Sequence, residues 1–157
     1  MDEAISGLLK AGYAAHQDGD LDIAADKCRH VLKVEPHNAD ALHFLGLIAL
    51  QKEDAATAII NIKNSLSTDP QNPQALDHLA TAYLKLGQTT KAISTLERAL
   101  SFAPDFTDCW LNLGNAKEVD GDFTGAVIAF EEAIKLQPDS VAGLANLANA
   151  LVESKEY

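Results

Sequence analysis

Residues 110–138 read WLNLGNAKEVDGDFTGAVIAFEEAIKLQP, and this stretch decides the fold. Its apolar side chains recur at helical spacing, Gly121 interrupts them, and Pro138 closes the run. That is the outline of two short helices joined by a tight turn. A hairpin of this size cannot bury its own apolar face, so a fold requires further copies. The prolines supply them: Pro36, Pro70, Pro104 and Pro138 are spaced by 34 residues each time, and only Pro73 falls outside the series.

Aligned on those prolines, other columns fall into phase. Twenty-four residues before each proline stands Gly12, Gly46, Ala80 or Gly114, and the series continues at Ala148. The residue before each of these is Ala11, Leu45, Leu79, Leu113 or Leu147. Alanine recurs without exception at Ala24, Ala58, Ala92 and Ala126. A large or soft apolar residue follows at Cys28, Ile62, Leu96 and Phe130, and another at Leu32, Leu66, Leu100 and Ile134.

The third copy shows the local structure that these columns encode. Leu76, Leu79, Ala80 and Tyr83 follow the i, i+3, i+4, i+7 rule and predict a first helix over roughly 73–86. Ala92, Leu96, Ala99 and Leu100 form one stripe of a second helix over roughly 89–102. Gly19, Gly87 and Gly121 stand where a first helix must end in a left-handed residue; Glu53 takes that place in the second copy, at a cost of about 1 kcal/mol. Asn38, Asn72 and Ser140 are placed to cap first helices, and the repeat proline stops each second one. Small residues in the Gly46 and Ala58 columns let antiparallel helices approach within about 8–10 Å, while Leu45 and Ile62 fill the space beside them.

Composition agrees and excludes several functions. Apolar residues make up 47% of the 157 positions, enough for a sizeable core, and alanine and leucine favour helix over strand. The net charge of −11 opposes binding to nucleic acid, which needs a basic face, and opposes anionic membranes for the same reason. A neutral or basic protein partner suits that charge, although solubility alone also accounts for it. Cys28 and Cys109 form no CxxC pair or disulfide framework, which fits a reducing compartment. The N-terminus lacks a secretory signal pattern, and the longest apolar stretch, ALHFLGLIAL at 41–50, is too short to span a bilayer. A cytoplasmic location is the simplest expectation.

The repeat resembles the tetratricopeptide family. Its pattern W-x2-L-G-x2-Y, followed by Ala, Phe, Ala and Pro, appears as Trp110, Leu113, Gly114, Ala126, Phe130, Ala133 and Pro138. Lys117 departs from the expected tyrosine, whereas Tyr83 occupies that column in the third copy. The resemblance implies an all-α fold: a right-handed superhelical solenoid of antiparallel helix pairs, about four and a half units long. The units are expected at 5–38, 39–72, 73–106 and 107–140, with a partial unit at 141–157. Tyr157 falls in the column of Leu21, Ala55, Thr89 and Phe123, where each second helix starts, leaving Leu147 and Leu151 without their cover. The expectation is that residues 1–157 form the N-terminal part of a longer protein, unless the lone helix serves as a cap.

No HExxH, GxSxG, P-loop or GxGxxG occurs, so the chain is not expected to be an enzyme, and no cofactor is implied. Asp18, Asp20 and Asp22 imitate a calcium loop, but Ile23 and Arg29 stand where glycine and glutamate are needed. His43 and His78 are 35 residues apart and are expected to approach each other on adjacent first helices, with Asp77 nearby; without a third defined ligand no metal site is assigned. Both cysteines take packing columns and read as inert thiols.

In the family the first helices line a concave groove, so the resemblance implies that their remaining positions meet a ligand. These are Tyr13, His43, Phe44, Leu47 and Leu50 early in the chain, then Asp77, His78, Thr81 and Lys85, then Asn112, Asn115, Asn146 and Asn149. The four asparagines keep the 34-residue period and so form two rows. A carboxamide donates and accepts, which matches a peptide unit. This is similar to the asparagine ladder in the repeat arm of protein O-linked N-acetylglucosamine transferases, over the last two units only, because Phe44 and His78 replace asparagine earlier. The competing reading is that these asparagines are solvated or bond between helices. A carboxylate clamp for chaperone tails is excluded, because Leu9, Tyr13, Phe44, Gln74 and His78 stand where its cations belong.

The function expected is a non-catalytic scaffold binding a peptide or protein segment in its groove. Two alternatives stand beside it: the substrate-recognition arm of a larger bacterial glycosyltransferase-like enzyme, and a repeat oligomer self-assembling through the unfinished C-terminal end or the patch around Phe44.

Overall fold

A computed structural model describes residues 2–154. The described residues are all-α, in nine helices: α1 (Asp2–Gln17), α2 (Leu21–Val34), α3 (Ala39–Gln51), α4 (Ala55–Thr68), α5 (Pro73–Lys85), α6 (Thr89–Phe102), α7 (Thr107–Asp120), α8 (Phe123–Leu136) and α9 (Val141–Glu153). Turns of two to four residues join them, short enough for neighbouring helices to fold back antiparallel on one another. The helix starting at Asp2 begins ahead of the residue 5 expected for the first unit. Lys155 and Tyr157, on which the expectation of an unfinished end partly rests, lie outside the described residues.

Two compact units divide the chain between His78 and Leu79, within α5. In the first, α1 packs on α2, α2 on α3 and α3 on α4. Its core gathers Ile5, Cys28, Val31, Phe44 and Ile48 around the alanines at 24, 25 and 41. In the second unit α6 packs on α7, α7 on α8, and α8 on α9. There Ala126, Phe130 and Ala150 form a buried cluster against Leu111, Val127 and Leu147.

The repeat columns are the contacts. Cys28, Ile62, Leu96 and Phe130 are all 0% exposed, as are the four alanines four positions before them. A Cβ built on Gly46 would overlap Ile62, and one on Gly114 would overlap the Phe130 ring. The small residue is therefore what admits the large one from the paired helix.

Turns and caps follow from side-chain chemistry. Gly121 ends α7 at φ +83°, where its N–H meets carbonyls of Lys117 and Glu118. Glu53 holds the same left-handed geometry at φ +61° despite its Cβ. Asn38, Asn72 and Ser140 accept from the backbone N–H groups of Ala41, Ala75 and Gly143 at 2.9, 2.9 and 3.1 Å. Asp54 and Asp122 cap second helices in the same way, accepting from Thr57 and Gly125 at 3.0 and 2.8 Å. The helix α7 has Phe106 at its N-cap and no side-chain bond there. Instead the indole N–H of Trp110 donates to the carbonyl of Pro104 at 2.9 Å and ties the helix start to the preceding turn.

Leu144, Leu151 and Val152 of α9 are 49%, 39% and 61% exposed. Ala148 is exposed too, although its counterparts Gly46, Ala80 and Gly114 are buried. Among the described residues nothing covers this side of α9.

Candidate functional site

The first-helix positions singled out in the sequence divide into several environments. In the first unit Tyr13 lies 45% exposed over Phe44, with ring centroids 4.3 Å apart, and the His16 ring flanks Phe44 at 5.2 Å. Phe44 itself is only 4% exposed and belongs to the core. Leu50 is buried as well, and Leu47 half-buried. The apolar patch expected there presents Tyr13 with a margin of Leu47, while Phe44 is the floor beneath it.

His43 and His78 do meet. Nε2 of His43 lies 2.8 Å from Nδ1 of His78, a bond in which one neutral ring donates to the other. Burial, and secondarily the other ring, pushes His43 down to about 4. Burial likewise holds His78 below the usual histidine value, against the opposing pull of the Asp77 carboxylate. Asp77 is buried at 6% exposure. Among the described residues no group of three His, Cys, Asp or Glu side chains is gathered for a metal.

In the second unit Thr81 is half-buried on α5. Asn112, Asn115 and Asn146 are half-buried on α7 and α9, and Asn149 is exposed. The side chain of Asn146 donates through Nδ2 to Oδ1 of Asn115 at 3.1 Å. The pairing is diagonal, between residues 31 apart, and joins the two rows laid down by the repeat period. It uses one donor of Asn146 and one lone pair of Asn115, so each carboxamide retains hydrogen-bonding capacity.

The cysteines are packed. Cys28 is 0% exposed with its thiol pushed up to about 11 by burial, and Cys109 donates Sγ–H to the Leu96 carbonyl at 3.6 Å. Asp22, from the sequence that imitates a calcium loop, pairs with Lys52.

Two clefts were not anticipated. The first, about 280 Å³, lies between α6, α7 and α8, with walls of Leu100, Trp110, Leu113, Ile128 and Ala129. Gly125, Glu97 and Lys117 complete it. Trp110, Leu113 and Lys117 recur at i, i+3, i+7, on the side of α7 opposite Asn112 and Asn115. The second cleft, about 510 Å³, lies between α2, α3 and α4, and is lined by Arg29, Lys52, Asp54, Thr57 and Asn61 beside Leu45, Ile48 and Ala49. It sits two repeats earlier in the same columns: Arg29 matches Glu97, Leu45 matches Leu113, Thr57 matches Gly125 and Ala49 matches Lys117. Ala49 and Lys117 both occupy the column where the third copy carries Tyr83. That substitution was the available signal, since losing a ring leaves a gap between helices.

Three family models, each described as tetratricopeptide repeat, match residues 9–73, 49–114 and 107–140. Among solved structures, the TPR domain of Sgt2 from Aspergillus fumigatus is 30% identical, with 75% of this chain and 80% of that one covered and a TM-score of 0.72. MamA is 24% identical over 99% of this chain and 85% of that one, with a TM-score of 0.86. An O-GlcNAc transferase from Thermobaculum terrenum is 24% identical over 85% of this chain but only 26% of its own, with a TM-score of 0.81. Among curated proteins no match is found.

Proposed function

The chain belongs to the tetratricopeptide repeat family, and from that membership we propose that it is a non-catalytic scaffold holding an extended peptide or protein segment along its first helices. The observation that carries this reading is the Asn146–Asn115 bond, which sets two carboxamides side by side on successive first helices. Half-buried amides fixed in this way lose little further entropy on meeting a peptide backbone. Asn112 and Asn149 extend the pair along the repeat direction, and Tyr13 with Leu47 offers an apolar contact in the first unit. The chain's charge of −11 favours a neutral or basic segment. Among the described residues no helix is long and apolar enough to cross a membrane; a cytoplasmic location belongs to the proposal.

The test is selection of binding peptides from a displayed library, followed by titration against a variant with Asn112, Asn115, Asn146 and Asn149 all changed to alanine. The reading expects affinity to fall about tenfold or more, as loss of several buried hydrogen bonds requires. Unchanged affinity for every selected peptide would sink it.

The exposed Leu144, Leu151 and Val152 on α9 favour a second reading, self-association through that face. Sedimentation across a concentration series tests it, and a strict monomer at all concentrations removes it. The recognition arm of a glycosyltransferase-like enzyme is a third reading, supported only by likeness of fold to the transferase.

A further inference from the structure

The cleft between α6, α7 and α8 differs from the copy beside it at two columns. In the third copy Tyr83 stands in the column of Lys117, and Lys91 in the column of Gly125. There the Lys91 ammonium lies over the Tyr83 ring, 5.6 Å from its centroid. One repeat later neither the ring nor its cation is present. Lys117 Nζ is drawn away to Oδ2 of Asp122 at 3.0 Å, and Gly125 contributes no side chain. What remains is the cleft of about 280 Å³.

Its walls are apolar and set in place. Trp110 is held by its indole bond to the Pro104 carbonyl, so its ring is an organised surface. Ile128, 56% exposed, borders it on α8. The charge at the opening is complementary to a cation. Asp122 answers Lys117, whereas Glu97 makes no ion pair among the described residues.

We infer that this cleft receives the aromatic side chain of a tyrosine or phenylalanine from a basic segment of a partner protein, with a neighbouring lysine or arginine paired to Glu97. The partner then supplies in trans the ring and cation that Tyr83 and Lys91 supply within the third copy. Because the cleft lies on the side of α7 away from Asn112 and Asn115, this site is separate from the asparagine face.

Trp110 is the chain's only tryptophan and reports occupancy directly. The probe is a short capped peptide with one tyrosine flanked by arginines, titrated with excitation where only tryptophan absorbs. Two control peptides carry alanine for tyrosine, or glutamates for the arginines. The inference expects a saturable emission change with a midpoint at or below about 1 mM, and weakening by about tenfold or more for either control. Lys117→Tyr, which restores the column's own residue, abolishes the response by filling the cleft from within. Glu97→Gln weakens binding of the arginine peptide about threefold or more and flattens its salt dependence. The four-asparagine variant leaves the titration unchanged, which separates this site from the asparagine reading. A response that survives Lys117→Tyr in a variant with native circular dichroism overturns the inference. So does equal binding of all three peptides, or no saturable response at all.

Discussion

The two clefts occupy the same columns of the repeat and have opposite chemistry. Around Ala49 the polar groups are already engaged: Arg29 with Asp26 at 2.6 Å, Lys52 with Asp22, and Asp54 with the Thr57 N–H. Around Lys117 the walls are Trp110, Leu100, Leu113 and Ile128, with Glu97 at the opening. One backbone arrangement therefore presents a wide groove of mixed polar and apolar lining in one unit and a smaller apolar slot in the other. The Ala58 column stays small and the Ile62 column apolar in every copy, while the Tyr83 column changes to Ala49 and Lys117 and the clefts change with it. A repeat fold keeps its scaffold in the columns that stay constant and writes its specificity in those that vary.

The sharpest test of the shared scaffold is the core column itself. Phe130→Ala in the second unit should cost about 3–5 kcal/mol, and Ile62→Ala in the first about 2–5 kcal/mol, measured as loss of urea midpoint. If either costs under about 1 kcal/mol, that column does not hold its unit together.

Acidification should separate the units. All five histidines lie in residues 1–78, and the paired His43 and His78 have folded pKa values below the ordinary 6.5. The unfolded chain then binds more protons than the folded one as pH falls below 6.5, so the first unit loses stability down to about 4, where His43 itself titrates. The Asp77 carboxylate works against this loss at His78. In the second unit Glu118 is held above the usual carboxylate value by burial and by Glu153. Protonating it favours the folded state, so acidification there acts with the opposite sign. Hydrogen exchange at pH 7.5 and 5 should show faster opening in α1–α4 without the same change in α7–α9. His43→Leu should flatten the difference; an unchanged profile would show that the histidine pair is not its source.

Lys117→Tyr should raise stability by roughly 0.5–2 kcal/mol by filling an apolar slot, whereas Ala49→Tyr should gain less because its ring would strip water from Thr57 and Asn61. Equal gains in thermal midpoint would erase the contrast between the clefts. The smallest effect is in the turns. Glu53→Gly should gain roughly 0.5–1 kcal/mol, and Gly121→Glu should lose a similar amount, because both positions require positive φ.

Much of the fold was legible because a period repeats the same information. The 34-residue spacing places every turn, and the apolar stripes place helix bounds to within a residue or two, as at α5 and α6. The caps at Asn38, Asn72 and Ser140 were readable because capping is local chemistry. Asp54 and Asp122 cap by equally local chemistry, but among 23 acidic residues a capping aspartate does not stand out from a solvated one. The candidate site was less legible. Phe44, Leu50 and Asp77 lie off the main stripe, but neighbouring helices cover them, and helical phase alone does not report a neighbour's reach. The asparagines followed their period, but the diagonal bond from Asn146 to Asn115 depends on how α7 and α9 are offset.

The sequence by itself determined that this chain is a stack of helix pairs, because helix periodicity, turn geometry and the small-to-large match of Gly114 with Phe130 are written into each repeat. Tertiary structure alone decided which side chains remain available and where a lost tyrosine leaves a usable space. Burial and cleft shape are set by three helices at once, and no single repeat contains all three.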